Sequence, residues 1–539
     1  MNNNIVGDMD PNPFSTRRVE GNEVRALIET QLALHSQGII SVLSQYQLPH
    51  AIKALHGTIQ AIEEFINIPL FEIEDPGLSE RLLTILIDDR FISNPEPAWQ
   101  IVKQILSPHF EPAVVRRYLL TMLQIGSIAS SFRMHGQTSF GDGIALDRVG
   151  GAVKYFQSRR RHLVSLLYTM PYACRGQKIL TSLDTLNVLL PQIEQSCISI
   201  TSFHQQLILL ETLDNFSLEV GETGAMASHS FETLEGLYLE PERASIHAMA
   251  ELRPDQFIQP KLENIDPKKI FSASELRNAV KLIQAAYATF GLNDSDFSTM
   301  AQLIIAFSRQ CRDDYFIEIP KTKFRVMLLA QTRLNPDELE LLLVNVPSNY
   351  ARNTNAFEPF INLGDMVVSN VNLLMRFLYV FKNVHLGSRR RFQIHSGFIF
   401  EDMIKRDLET IGFHVTDIKR INRKEFDVVT THCGVIYNFQ CKNNWIDLAK
   451  VENDRKLFVR YNRSRVNYYR RALAKEEKRE HLLKGALGLD KIEHYVISRF
   501  PVICTDPRII SYNQIDLRLK PLIRRMPTED ILRENQAET

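Results

Sequence analysis

The stretch KEFDVVTTHCGVIYNFQCKN, Lys424 to Asn443, alternates apolar and polar residues on both sides of a Cys433-Gly434 pair. Period-2 alternation belongs to a β-strand with two unlike faces. A two-residue turn ending in glycine joins such strands as a hairpin. A turn on Cys433-Gly434 sets Phe426 opposite Cys441, Val428 opposite Phe439 and Thr430 opposite Tyr437 on one face. The other face then pairs Glu425 with Lys442, Asp427 with Gln440 and Val429 with Asn438. One face reads as apolar on both strands and the other as mostly polar, so one register satisfies both strands.

The polar face gathers an acid, an amide and an ammonium. Asp427 lies across from Gln440 in this register, with Cβ atoms about 5 Å apart, and Lys442 follows two residues along. Phosphodiester hydrolysis calls for a hard divalent cation held by oxygen ligands. Asp427 suits direct ligation and Gln440 offers its side-chain oxygen. Lys442 suits orienting the attacking water, helping to deprotonate it, or stabilising the transition state. Glu401, early in the helical pattern that precedes the strands, is a further acid for the same site. The same residues also suit an ordinary sheet edge, with Glu425 and Lys442 as a cross-strand ion pair and Asp427 hydrogen-bonded to Gln440.

Outward from the hairpin the pattern is α-β-β-β-α-β. "GFIFEDMIKRDLETIGFHV" predicts a helix with Ser396 as N-cap and Gly412 as its stop. "HVTDIKRI", "EFDVVTT" and "VIYNFQCK" read as strands, Asp447 to Leu487 as a long basic helical stretch, and "HYVISRF" and "RIISYNQI" as later strands. This predicts a mixed α/β domain over residues 386–525, a normal domain size.

Residues from about 392 to 515 resemble the PD-(D/E)XK nuclease superfamily, particularly its Mrr-like restriction endonuclease branch, where the strand motif is often Q-x-K. The matching pieces are "GFIFEDMIKRDLETIGFHV", with its Phe400-Glu401 pair, "EFDVV" and "YNFQCKN". Phe426 stands where the motif's name has proline, and Gln440 where many members have a carboxylate. The resemblance implies a core sheet flanked by helices, DNA as substrate and Mg²⁺ (or Mn²⁺) as cofactor. It assigns Asp427, Gln440, Lys442 and Glu401 to catalysis, with Asp427, Gln440 and Glu401 as metal ligands. It covers roughly a quarter of the chain, and nothing similar stands out in the first 385 residues.

Charge distribution points the same way. Overall the 63 basic and 63 acidic residues cancel, but from residue 386 onward 30 Lys and Arg face 21 Asp and Glu. The first 385 residues therefore hold 33 and 42, so a basic part is joined to an acidic one. Such asymmetry suits either an anionic ligand or mutual docking of the two parts. "RYNRSRVNYYRR" sets Tyr461, Tyr468 and Tyr469 among arginines, which suits phosphate contact and base stacking. Arg463, Arg465, Arg470 and Arg471 are the nucleic-acid candidates there, and Arg389, Arg390 and Arg391 form a second cluster. "SRRRH" at 158–162 suits phosphate contact or a solvated helix face. His395, His414 and His432 lie near the hairpin without forming a ligand cluster.

The remainder predicts a mostly α-helical N-terminal region. Residues 1–20 read as a loose polar arm, 21–214 as a helical domain, 215–269 as a connector or irregular subdomain, 270–385 as a second helical region, and 526–539 as a tail. Ser272 or Ser274 is the expected N-cap of the helix that opens the second region, with Gly291 at its end. Six cysteines without a Cys-x-x-Cys pair argue against a disulfide framework and a structural zinc module. No basic start followed by an apolar core opens the chain, and no apolar run reaches the ~18 residues of a membrane helix. The expectation is a multidomain cytoplasmic protein with no membrane partner. Its C-terminal domain would cut DNA, in restriction or anti-phage defence. Its helical region would sense, recruit a protein partner or self-associate. A non-catalytic nuclease-fold scaffold binding DNA or protein is the alternative, and a recombination or junction-processing nuclease a further one.

Overall fold

A computed structural model describes residues 17–524 except 68–76, 87, 89–93, 95, 135–147, 222–223, 230–257, 271, 331–334, 345–348, 354–355, 445–453 and 501. Five long helices dominate the N-terminal part: α1 Gly21–Leu43, α2 Leu48–Asn67, α3 Pro112–Met134, α4 Val149–Ala173 and α5 Leu190–Thr212. Their apolar stripes close on one core that includes Leu55, Ile62, Tyr118, Phe156, Leu167 and Ile193. The predicted arm and connector meet here. Strand β1, Arg17–Glu20, pairs antiparallel with β2, Ser217–Gly221, which pairs with β3, Gly224–Ala227. The remaining arm residues, most of the connector and the tail lie outside the described residues.

Within the "SRRRH" run of α4, Arg159, Arg160 and His162 do not form a solvated face. Arg159 and Arg160 are 7% and 8% exposed, and they pair with Glu194 of α5 and Glu63 of α2. His162 is buried against the Tyr350 hydroxyl at 3.0 Å. A buried charge is tolerated when it is paired and hydrogen-bonded, so this run ties helices together.

The second region holds helices α6, Ala273–Ala286, α7, Asp296–Ser308, and α8, Val371–Gly387. Ser272 caps α6 in a reciprocal capping box with Glu275, and Gly291 closes the 3-10 turn that follows at φ +76°. The region is not purely helical. Strand β4, Phe316–Pro320, pairs with β6, Met366–Asn370, which also pairs with β5, Ile361–Asn362. β6 ends at Asn370, which then caps α8 through the Leu373 amide.

The C-terminal part is a mixed α/β domain. Helix α9, Arg390–Ile411, leads into β7, His414–Val415, then a short ribbon of β8, Arg420–Ile421, and β9, Lys424–Glu425. The hairpin is β10, Val428–His432, and β11, Val435–Lys442. Helices α10, Arg455–Glu477, and α11, Glu480–Leu487, precede β12, Lys491–Ser498, β13, Ile509–Ser511, and α12, Ile515–Arg524. The five-stranded sheet has the order β13-β12-β11-β10-β7. β11 runs parallel to β12 and β12 to β13, while β10 is antiparallel to both its neighbours. Phe400, Ile404 and Leu408 of α9 cover one face with Val428, Tyr437 and Phe439, and Val466, Tyr469 and Leu473 of α10 cover the other with Val496.

Buried aromatic and aliphatic side chains join this domain to the rest. Phe392, near the start of α9, sits in the second region's core beside Tyr287 and Phe290. Phe458 of α10 and Ile503 are buried among Val24, Ile28, Leu207 and Phe216. Among the described residues no helix is long and apolar enough to cross a membrane.

Candidate functional site

The hairpin register is the expected one. Val428 faces Phe439, Thr430 faces Tyr437 and His432 faces Val435, with Cys433 and Gly434 between them at φ +46° and +70°. Both turn residues are left-handed, as a type I′ hairpin requires.

The expected pairing fails upstream of Val428. On an uninterrupted strand Phe426 and Val429, three apart, point to opposite faces. Here both belong to one apolar cluster with Ile436 and Leu483. The chain bends at Phe426-Asp427: the Phe426 amide donates to the Lys419 carbonyl at 3.0 Å, and the Arg479 guanidinium lies over its ring. Glu425 is consequently not opposite Lys442; it forms an ion pair with Arg420 across the short ribbon.

The bend also frees the Asp427 carboxylate from the ladder. Its Oδ2 accepts the Cys441 amide at 2.8 Å, and Lys442 Nζ lies 3.6 Å from it. Lys442 Nζ donates to Gln440 Oε1 at 2.9 Å. That bond sets the amide's orientation and leaves Gln440 Nε2 buried with no hydrogen-bond partner among the described residues. Asp427, Gln440 and Lys442 therefore do meet, at the end of the sheet where β10 begins and where parallel β11 and β12 finish.

Glu401 reaches this place from α9. Burial, followed by the Asp427 carboxylate, pushes its carboxyl up to about 7, while Lys405 and Lys442 pull it down. Ser396, expected as N-cap, lies inside α9, which starts six residues earlier at Arg390. Its hydroxyl instead accepts Asn443 Nδ2 at 2.7 Å, tying helix to strand. Gly412 ends the helix in the left-handed region at φ +118°, as expected.

The polar face is not open to water along its length. Asn438 is fully buried and donates to Glu476 Oε2 of α10 at 2.9 Å, and Gln440 is buried too, while Lys442 and Asp427 at the strand ends are partly exposed. Sequence reasoning missed Arg499. Its amide donates to the Lys442 carbonyl, and its guanidinium donates to Asn443 Oδ1 at 3.0 Å. The parallel register that sets Ser498 beside Lys442 brings it there, and no local motif announces such a pairing.

The arginine candidates divide. Arg389, Arg390 and Arg391 are exposed at the start of α9, the helix whose Ser396 bonds Asn443 at the Lys442 end of the sheet. Arg463 and Arg470 line a groove of about 650 Å³ between α10, Thr212–Asn215 and Ile503–Thr505. Arg471 is exposed, and Arg465 lies on the other flank of α10 with its guanidinium over the Tyr461 ring at 5.1 Å. Tyr469 is buried and bonds Ser498 and Asn444, so it is not a stacking surface. The four α10 arginines thus do not form one face.

As a metal site, the place offers two carboxylates and an amide oxygen, all hard donors suited to Mg²⁺ or Mn²⁺. Among the described residues no three His, Cys, Asp or Glu converge as a ligand group, so Gln440 would have to supply the third oxygen. The donor chemistry fits a hard divalent cation. No protein-family model, curated protein or solved structure matches the chain.

Proposed function

We propose that the C-terminal domain is a metal-dependent nuclease of the PD-(D/E)XK type that hydrolyses phosphodiester bonds in DNA. The observation that carries this reading is the convergence of Asp427, Gln440 and Lys442 at one end of the sheet, with Glu401 coupled to Asp427 from the neighbouring helix. Asp427, Glu401 and Gln440 would hold the cation. When bound, it neutralises charge on the phosphate and acidifies a coordinated water.

The chain's own groups do the rest. The Cys441 amide holds the Asp427 carboxylate in place. Lys442 Nζ, within reach of Asp427 and Gln440, orients the attacking water and stabilises the negative charge that develops on the phosphate. Arg499 supplies positive charge beside the developing phosphorane. Arg389, Arg390 and Arg391 grip backbone phosphates at the entrance. The helical region is read as the sensing, recruiting or self-associating part, and defence against foreign DNA as the setting, by analogy alone.

A scaffold reading is favoured by one observation: Gln440 Oε1 already accepts a hydrogen bond from Lys442 Nζ at 2.9 Å. Plasmid nicking in Mg²⁺ separates the two, with wild type compared with Asp427→Ala and Lys442→Ala. Cutting by wild type and its loss in both variants supports the nuclease. Wild-type protein that binds DNA but leaves it intact across metals and substrates makes the domain a scaffold.

A further inference from the structure

Helix α9 carries a stripe whose first part its packing leaves exposed. Arg391, Ile394, Phe398, Glu401 and Lys405 recur at spacings of three and four and therefore share one face. Phe392, Ser396, Phe400, Ile404 and Leu408 are the buried residues of the helix and lie on another. Two members of the stripe are large, apolar and solvent-facing: Ile394 is 53% exposed and Phe398 62%.

Their surroundings indicate what covers them. Basic side chains bracket the pair, with Arg390 and Arg391 on one side and Lys405 on the other. Phe398 precedes Glu401 by three residues, about 4.5 Å along the axis. An aromatic face set among cations beside a phosphate-handling site matches a nucleotide: a base for the ring and phosphates for the charges. Of the two acids on this side of the helix, Asp402 pairs with Lys405 at 3.2 Å and Glu401 belongs to the Asp427 site.

In a duplex both faces of a base are covered by its neighbours, so a fixed aromatic ring stacks only on a base that is already free or displaced. We propose that Phe398, with Ile394 beside it, is a stacking platform for an unpaired base next to the phosphodiester acted on at the Asp427–Lys442 site. The preferred substrate is then single-stranded DNA or an unpaired segment of a duplex. This rests on the nuclease reading and adds the class of substrate to it.

The test uses the full chain and dye-labelled oligonucleotides of equal length: single-stranded, fully duplex, and single-stranded with abasic sites. Base–aromatic stacking contributes about 1–3 kcal/mol, so Phe398→Ala is expected to weaken single-strand binding roughly 5- to 150-fold. Phe398→Trp should restore it, and the abasic strand should bind wild type as weakly as it binds Phe398→Ala. Equal affinity of wild type and Phe398→Ala for the single strand overturns the proposal, as does wild-type preference for the duplex. Dissociation of an oligomer by Phe398→Ala in sedimentation velocity also overturns it, because the patch is then an interface between copies. The two readings fail separately. Phe398-dependent strand binding without cleavage sinks the nuclease and leaves the platform, whereas cleavage indifferent to Phe398 sinks the platform alone.

Discussion

Asn443, one residue past β11, donates its side-chain amide to the hydroxyl of Ser396, which is fully buried within α9, at 2.7 Å. This bond joins the helix that carries Glu401 to the strand that carries Gln440 and Lys442, and Arg499 holds the other end of the same amide at 3.0 Å. The site is assembled through that amide.

Ser396→Ala removes the acceptor and leaves Asn443 Nδ2 without this partner. A lost buried hydrogen bond costs about 1–3 kcal/mol, so thermal unfolding should move down by several degrees. Nicking should fall more than stability accounts for when it is measured well below the melting point. Unchanged nicking at such a temperature argues that Glu401 is held by other contacts.

Asp427→Asn and Asp427→Ala separate structure from chemistry. The asparagine keeps an oxygen for the Cys441 amide, so Asp427→Asn should melt near wild type, while Asp427→Ala should lose about 1 kcal/mol. Both should lower nicking by at least ~100-fold. Single-turnover cleavage and calorimetry check the pair, and full activity in Asp427→Asn would remove this residue from the metal site.

Arginine changes should sort by location. Arg463→Ala and Arg470→Ala, in the junction groove, should each weaken DNA binding at constant melting temperature and lower the salt slope by about 1. Arg160→Ala breaks the buried pair with Glu63 and should cost about 3–5 kcal/mol, with no change in salt slope. Anisotropy titrations from low to moderate salt distinguish them; equal slopes for Arg463→Ala and wild type exclude that arginine from the phosphate path.

Acid sensitivity should come partly from two buried histidines. Burial lowers His56 to about 3 and does the same to His162, whose arginine neighbours Arg161 and Arg159 add to the effect. Below about pH 6.5 the unfolded chain takes up these protons and the folded chain does not, so their stability contribution is complete above that pH. It is lost as pH falls toward 3, at up to about 1.4 kcal/mol per pH unit for each histidine. His56→Gln combined with His162→Gln should flatten the melting temperature between pH 6.5 and 4, relative to wild type. Parallel pH profiles for the two proteins would assign the acid sensitivity elsewhere.

The hairpin was legible in the sequence because strand pairing there is local. Alternation and a glycine turn suffice to place Val428 opposite Phe439, and Asp427, Gln440 and Lys442 then come close whatever follows. The capping box at Ser272 and the stop at Gly412 were legible for the same reason, since caps depend on neighbours within one turn. Ser396 misled because a serine before an apolar stripe suits an N-cap equally well as a hydrogen-bond donor or acceptor facing another element.

What lay beyond the sequence involved partners distant along the chain. The bend at Phe426 arises because its ring finds Val429, Ile436 and Leu483, and Leu483 comes from a helix more than fifty residues away. The burial of Asn438 and the division of the α10 arginines follow from how α10 lies across the sheet and against Leu207 and Phe216, and Arg499 arrives through the parallel register of β11 and β12. The sequence by itself determined which residues make the hairpin and which chemistry they can hold. Only the tertiary structure decided that Asp427 turns onto the Cys441 amide and that Glu401 comes beside it, because those positions depend on packing between elements and not on the local backbone.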